Sequence, residues 1–232
     1  VRIIAVIACV CLIIAGVWIA VNSDGGSTRR NSDGMPALWQ DYMDSVYNSD
    51  SITQAEINIP VTDERGSFTL QMIPSGGTAM DFSDIYDKCV PSVVGIKSFV
   101  GDSPDYYGWG SGVIISSDGY VLTNTHVIDE GDSAKVVLYD GSEYEAKLVG
   151  YDSQSDIAVI KIEAEGLTAA EFASSADLSV GDSVAAIGNP LSPDLRLTMT
   201  RGIISALNRE ISYNGAVMSL IPVSYTHLRA HE

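Results

Sequence analysis

From residue 81 onward the chain is a succession of short apolar runs, each closed by a turn signal, and this constrains its fold more than any other feature. Gly112–Ser116 and Tyr120–Asn124 flank Asp118-Gly119, and Lys135–Tyr139 and Tyr144–Val149 flank Asp140-Gly141. Asp-Gly supplies the positive φ angles that a tight hairpin requires. Ile157–Ile162, Val184–Gly188 and Thr198–Leu207 continue the series as further strands. Many short strands joined by Gly and Asp turns predict a sandwich or barrel rather than βαβ units. One helix is expected, over Phe82–Lys88.

The start of the chain obeys other rules. Ile3 to Val21 are nineteen consecutive uncharged residues. At about 1.5 Å per residue such a helix covers roughly 28 Å, close to the hydrocarbon core of a bilayer. The run is longer than a cleavable signal core, and bulky Trp18 and Ile19 sit where a signal peptidase needs small residues. Residues 1–21 are therefore expected to be a retained transmembrane anchor. The flanking charges do not fix its orientation, because Arg2 precedes the span and Arg29 and Arg30 follow it. Residues 22–81 are rich in Ser, Asp, Gly and Asn and read as a linker. Short helical or strand-like pieces are possible in it near Leu38–Tyr47 and Ile57–Met72.

Composition excludes some functions. Thirteen basic against thirty acidic residues give a net charge of −17, a field that repels phosphate backbones, so no nucleic-acid partner is expected. Three cysteines make no disulfide framework. Cys9 and Cys11 lie in the apolar run, and Cys89 is expected to be a small buried apolar residue.

Chemistry concentrates in two motifs. GSGVIISSDGYVLTNTHVI, residues 110–128, places His126 just after an apolar strand. Thirty positions on, SDIAVIKI places Asp156 immediately before another. Each residue alone has a commonplace reading, a structural histidine and a turn aspartate. Together, and with IGNPLSPD and TRGIISALNR farther along, they resemble the HtrA/Deg family of serine proteases. The resemblance runs from about Ser92 to Ile221, more than half the chain.

That resemblance implies two members of a Ser-His-Asp triad, with His126 as the base and Asp156 as the acid that orients it. A serine hydroxyl is a poor nucleophile until a base removes its proton. Imidazole titrates near pH 6.5 and can take that proton and return it to the leaving amine, while a carboxylate on the other ring nitrogen fixes the tautomer. Asp152 is the nearest rival acid but lacks the SDIAVIKI context. The family places its nucleophile in a Gly-Asn-Ser-Gly-Gly motif, which occurs nowhere in the 232 residues. Ser219 has no flanking glycines, sits in an expected strand, and is not taken as that nucleophile.

The fold class that follows is all-β, a trypsin-like double β-barrel after one N-terminal transmembrane helix. Residues 82–197 are expected to form the first barrel and 198–221 to begin the second. The final stretch VSYTHLRAHE, residues 223–232, breaks the family pattern. It resembles the translation of a sequencing-library adapter, with Pro222 at the junction, which would make residues 222–232, His227 and His231 included, foreign to the protein. The resemblance further implies unfolded or misfolded protein substrates, no metal or organic cofactor, a homotrimer, and a protease domain held outside the cytoplasm by the membrane helix. The 232-residue polypeptide, lacking the nucleophile motif, is expected to be inactive. Two alternatives stand beside the enzyme: a catalytically dead trypsin-like binding module and an anchored cell-surface tether. The segment Leu191–Leu197 departs from the glycine-rich form that many relatives carry after Gly-Asn-Pro, which leaves regulation open.

Overall fold

The computed structural model describes residues 57–63, 69–73, 80–101, 103–129, 131–190, 192–213 and 216–225. The expected anchor at 1–21 and the piece near 38–47 lie outside them.

A closed barrel dominates. Its strands are β2 (Val93–Phe99), β3 (Gly108–Ile114), β4 (Tyr120–Thr123), β5 (Ser133–Val137), β6 (Glu143–Asp152) and β7 (Ile157–Ile162). They close in the order β2-β3-β4-β7-β6-β5, every neighbouring pair antiparallel. Period-two burial fills the interior: Val94 and Ile96 from β2, Val136 from β5, and Ala158, Ile160 and Ile162 from β7 are all at 0% exposure. Burying one such isoleucine contributes roughly 1.5–3 kcal/mol. An exposed ion pair such as Lys97–Glu143 adds at most about 1 kcal/mol, so the apolar interior holds the barrel together.

The Asp-Gly turns form as expected, with Gly119 at φ 101° and Gly141 at φ 92°. Two stretches of barrel strand were not among those expected from the sequence. The first is β2, and the second is the early part of β3, which begins at Gly108 rather than at the expected Gly112. Glycine here is a packing device. A Cβ on Gly95 would lie 2.4 Å from the Trp109 ring, and one on Gly110 would lie 2.6 Å from both methyl groups of Val127.

The second sheet begins earlier than expected. β9 (Ser183–Gly188), placed by the sequence reading in the first barrel, pairs instead with β10 (Thr198–Ile204). The physical reason is closure: six strands already satisfy one another and leave no edge for a seventh. β13 (Val223–Tyr225), within the segment read as foreign, lies on the other side of β10. β11 (Arg209–Tyr213) and β12 (Ala216–Leu220) form a separate hairpin, in which the expected strand around Ser219 is found.

Part of the expected linker is docked rather than free. Ile59 is buried in the barrel core, Val61 bridges to Leu148, and β1 (Gln71–Met72) pairs in parallel with β8 (Glu171–Phe172). α1 (Phe82–Cys89) matches expectation within one residue. Asp81 caps it by accepting a hydrogen bond from the Asp84 amide at 2.9 Å. The helix ties several elements together: Lys88 pairs with Glu171 on β8, Arg201 of β10 lies 5.9 Å from the Phe82 ring, and the Tyr86 hydroxyl donates to Leu197 O at 3.0 Å. Cys89 is half-buried rather than buried. Burial holds its thiol above the ordinary range against the opposing charge of Lys88, and Glu171 adds to the rise.

Two expectations follow. Gly110→Ala forces Val127 aside and should destabilise the barrel by about 1–3 kcal/mol, the usual range for overpacking, read as a lowered thermal midpoint. An unchanged midpoint would contradict the close approach. Cys89, with its raised pKa, should be alkylated by iodoacetamide more slowly than free cysteine at pH 8. Its rate should climb only at higher pH, as followed by peptide mass spectrometry.

Candidate active site

Strand register builds the site. β4 and β7 run antiparallel with Thr123 opposite Ala158. The residues just past the end of β4 therefore meet those just before the start of β7. On one side Asn124 continues in extended conformation, and a 3-10 turn, Thr125–Val127, follows. Thr125 and Val127 are buried and anchor the turn, while His126 between them keeps 24% of its side chain exposed. On the other side β6 turns through residues 153–156 into β7.

That turn is organised by Asp152. Its carboxylate accepts from Ser155 Oγ at 2.7 Å and from the Gln154 amide at 3.1 Å. These bonds, the Ser155 hydroxyl first, lower its pKa below the usual carboxylate value. The rival acid thus spends its oxygens on its own turn. The turn ends with Asp156 at φ 54°, a left-handed conformation that aspartate tolerates better than most side chains and that re-aims its carboxylate.

Asp156 is only 4% exposed, and a carboxylate taken out of water must be satisfied by donors. Its Oδ2 lies 2.7 Å from His126 Nδ1 and accepts from Asn124 Nδ2 at 3.1 Å. Its Oδ1 accepts from the backbone amide of His126 at 3.0 Å. The main chain is held as well: Asp156 O accepts from Asn124 Nδ2 at 2.9 Å and from the Thr125 amide at 3.3 Å. His126 grips both carboxylate oxygens, one through its ring and one through its amide, so the ring cannot turn without breaking that pair. Since a carboxylate only accepts, the contact places the ring proton on Nδ1 and the lone pair on Nε2. An imidazole so held can take a proton at Nε2 while the carboxylate steadies the resulting cation.

The structure thus brings together His126 and Asp156, the two residues singled out in the sequence, and keeps Asp152 apart from that contact. Ser219 is exposed on β12 opposite Glu210, in the hairpin outside the barrel sheet. Asn124 was passed over in the sequence. Its signal was there, between Thr123 and Thr125 in the histidine motif, but an asparagine at a strand end reads as a turn former.

Known proteins similar to the chain point to its family. The family model described as trypsin-like peptidase domain matches residues 110–227. The serine protease Do-like HtrA of Bacillus subtilis is 41% identical over 148 residues, covering 56% of this chain and 33% of that protein. The probable periplasmic serine protease do/HhoA-like of Haemophilus influenzae is 55% identical over 107 residues, covering 45% of this chain and 22% of its own. Among solved structures, the HtrA-type protease AlgW with a tripeptide superposes with a TM-score of 0.51 at 38% identity, over 56% of this chain and 41% of that one. The chain spans a third or less of the length of these two curated relatives. The family model, matching half of a chain that closes a six-stranded barrel, establishes that the chain belongs to the trypsin-like peptidase domain family, and the relatives it resembles are HtrA-type serine proteases.

Proposed function

We propose that the whole protein hydrolyses peptide bonds in unfolded or damaged extracytoplasmic proteins through a Ser-His-Asp triad, with His126 as general base and Asp156 as its orienting acid. The single observation that carries this reading is the 2.7 Å contact between His126 Nδ1 and the buried Asp156 carboxylate. In acyl transfer Nε2 takes the serine proton as the hydroxyl attacks the carbonyl, then returns it to the leaving amine. Asp156 holds the productive tautomer and stabilises the imidazolium. Periplasmic descriptions of several relatives support an extracytoplasmic protease domain, and the uncharged run Ile3–Val21 supports an anchor that tethers it as a single-pass membrane protein. Assembly as a homotrimer belongs to the same reading, as does the division into anchor, linker, first barrel and second barrel.

The serine must come from outside the motifs described, because no Gly-Asn-Ser-Gly-Gly occurs in these 232 residues. Loss of a triad serine costs about a millionfold in kcat in subtilisin. The isolated 232-residue polypeptide should therefore leave casein intact over hours. The full-length gene product should react with a fluorophosphonate probe, lose that label in His126→Ala, and react about 10⁴-fold more slowly in Asp156→Asn. Labelling that survives His126→Ala would refute the assigned base. Absence of labelling in the full-length protein would favour the binding module.

A further inference from the structure

We infer that Asn124 is a positioning residue for the proposed His126–Asp156 pair, fixing both the backbone and the carboxylate of Asp156 with one amide group. The inference rests on the reading of that pair given above and adds a residue to it.

Asn124 stands immediately before the 3-10 turn Thr125–Val127, where an Asn side chain ordinarily caps the turn by accepting from its first free amides. Here its side chain makes no such cap. The amide nitrogen reaches across instead to the residue before β7. One Nδ2 donates to Asp156 O at 2.9 Å and to Asp156 Oδ2 at 3.1 Å.

Both acceptors matter. Asp156 has φ 54°, and a residue held in that region costs of order 1–3 kcal/mol unless its surroundings enforce it. The bond to Asp156 O supplies part of that enforcement, beside the longer bond from the Thr125 amide at 3.3 Å. The bond to Oδ2 engages the oxygen that receives His126 Nδ1, so the donor sets where that oxygen sits. Only a side chain with two N–H bonds on one atom, at this reach, serves both acceptors at once. Serine or threonine offers one donor and a shorter arm.

The role is distinct from catalysis itself. Asn124 acts through Asp156, and its effect must show in the state of the His126 ring. The chain contains three histidines, His126, His227 and His231, so ¹⁵N-histidine labelling of the 232-residue protein gives few imidazole signals to assign. In the unsubstituted protein at neutral pH, His126 should appear as the Nδ1–H tautomer, and Asp156→Asn should abolish that preference. Asn124→Ala should shift the neutral ring toward the mixed tautomers of a free imidazole while backbone amide spectra of the barrel stay in place. Asn124→Ser, which keeps a residue favoured before a helical turn, should fall between the two and covers the case in which the alanine variant misfolds. Asp129 and Asp152, the nearest charged groups in sequence on the two elements, remain unchanged in every variant. A full Nδ1–H preference in a folded Asn124 variant overturns the positioning role while leaving the pair intact. Indifference of the ring to Asp156→Asn overturns the pair, and the role of Asn124 with it.

Discussion

Everything at the candidate site depends on the antiparallel pairing of β4 with β7. The two strands are consecutive in the closed barrel but separated in sequence by β5 and β6, so only barrel closure brings them side by side. Once Thr123 faces Ala158, Asn124 and His126 are placed against Asp156 with no freedom left for a different partner. The register is protected by the interior itself. A slip of one residue would turn Ala158, Ile160 and Ile162 out of the core and bring Val159 and Lys161 in. Lys161 lies off the barrel interior yet is itself buried, and its ammonium donates to Ile162 O at 2.8 Å and lies 5.7 Å from the Tyr120 ring. The site is thus held by the apolar barrel interior and tuned by a few polar contacts.

The sequence made much of this legible, and the reasons differ from residue to residue. Asp118-Gly119 and Asp140-Gly141 announce hairpins because only particular residues adopt their backbone angles. Helix α1 was expected over Phe82–Lys88 and forms over Phe82–Cys89. Strand β2 was not, because Pro91 and Gly95 interrupt the pattern that a strand reader looks for. The structure shows that Gly95 is there to admit the Trp109 ring. The docking of Ile59 was hidden for another reason. Ile57, Ile59 and Val61 alternate as a strand would, but the pattern does not say which surface receives them. His126 and Asp156 could be named from motif context, but their hydrogen-bond geometry could not, since the left-handed turn at Asp156 is a tertiary product of Asp152, Ser155 and Asn124.

A second polar centre links the barrel to the sheet of β9 and β10. Asn189 is 1% exposed, and each polar group of its side chain is used. Nδ2 donates to Val94 O at 2.7 Å, Oδ1 accepts from the Leu197 amide at 3.0 Å, and its backbone amide donates to Ser111 Oγ at 2.8 Å. Leu197 is at φ 57°, which a branched apolar side chain adopts rarely. It is held there from both sides, by Asn189 at its amide and by the Tyr86 hydroxyl at its carbonyl. Leu197 is therefore pinned by a buried asparagine and by helix α1.

These two centres are not independent, since Ser111 takes part in both. Its Oγ accepts from Asn189, and its carbonyl accepts from Thr123 Oγ1 at 2.9 Å, one residue before Asn124. Satisfied buried hydrogen bonds in series are stiff, because breaking any one leaves a polar group stranded in a low dielectric. The path Asn189–Ser111–Thr123–Asn124 therefore ties the junction between the sheets to the residues that hold Asp156 through short covalent steps and three-ångström contacts. The two centres still differ in what they depend on. The contacts described above at His126 and Asp156 come from residues of the first barrel. Asn189 instead spans the junction, and its side chain is satisfied only when β2 and Leu197 are both in place. The His126–Asp156 contact is thus built on barrel residues, whereas Asn189 joins the barrel to the neighbouring sheet.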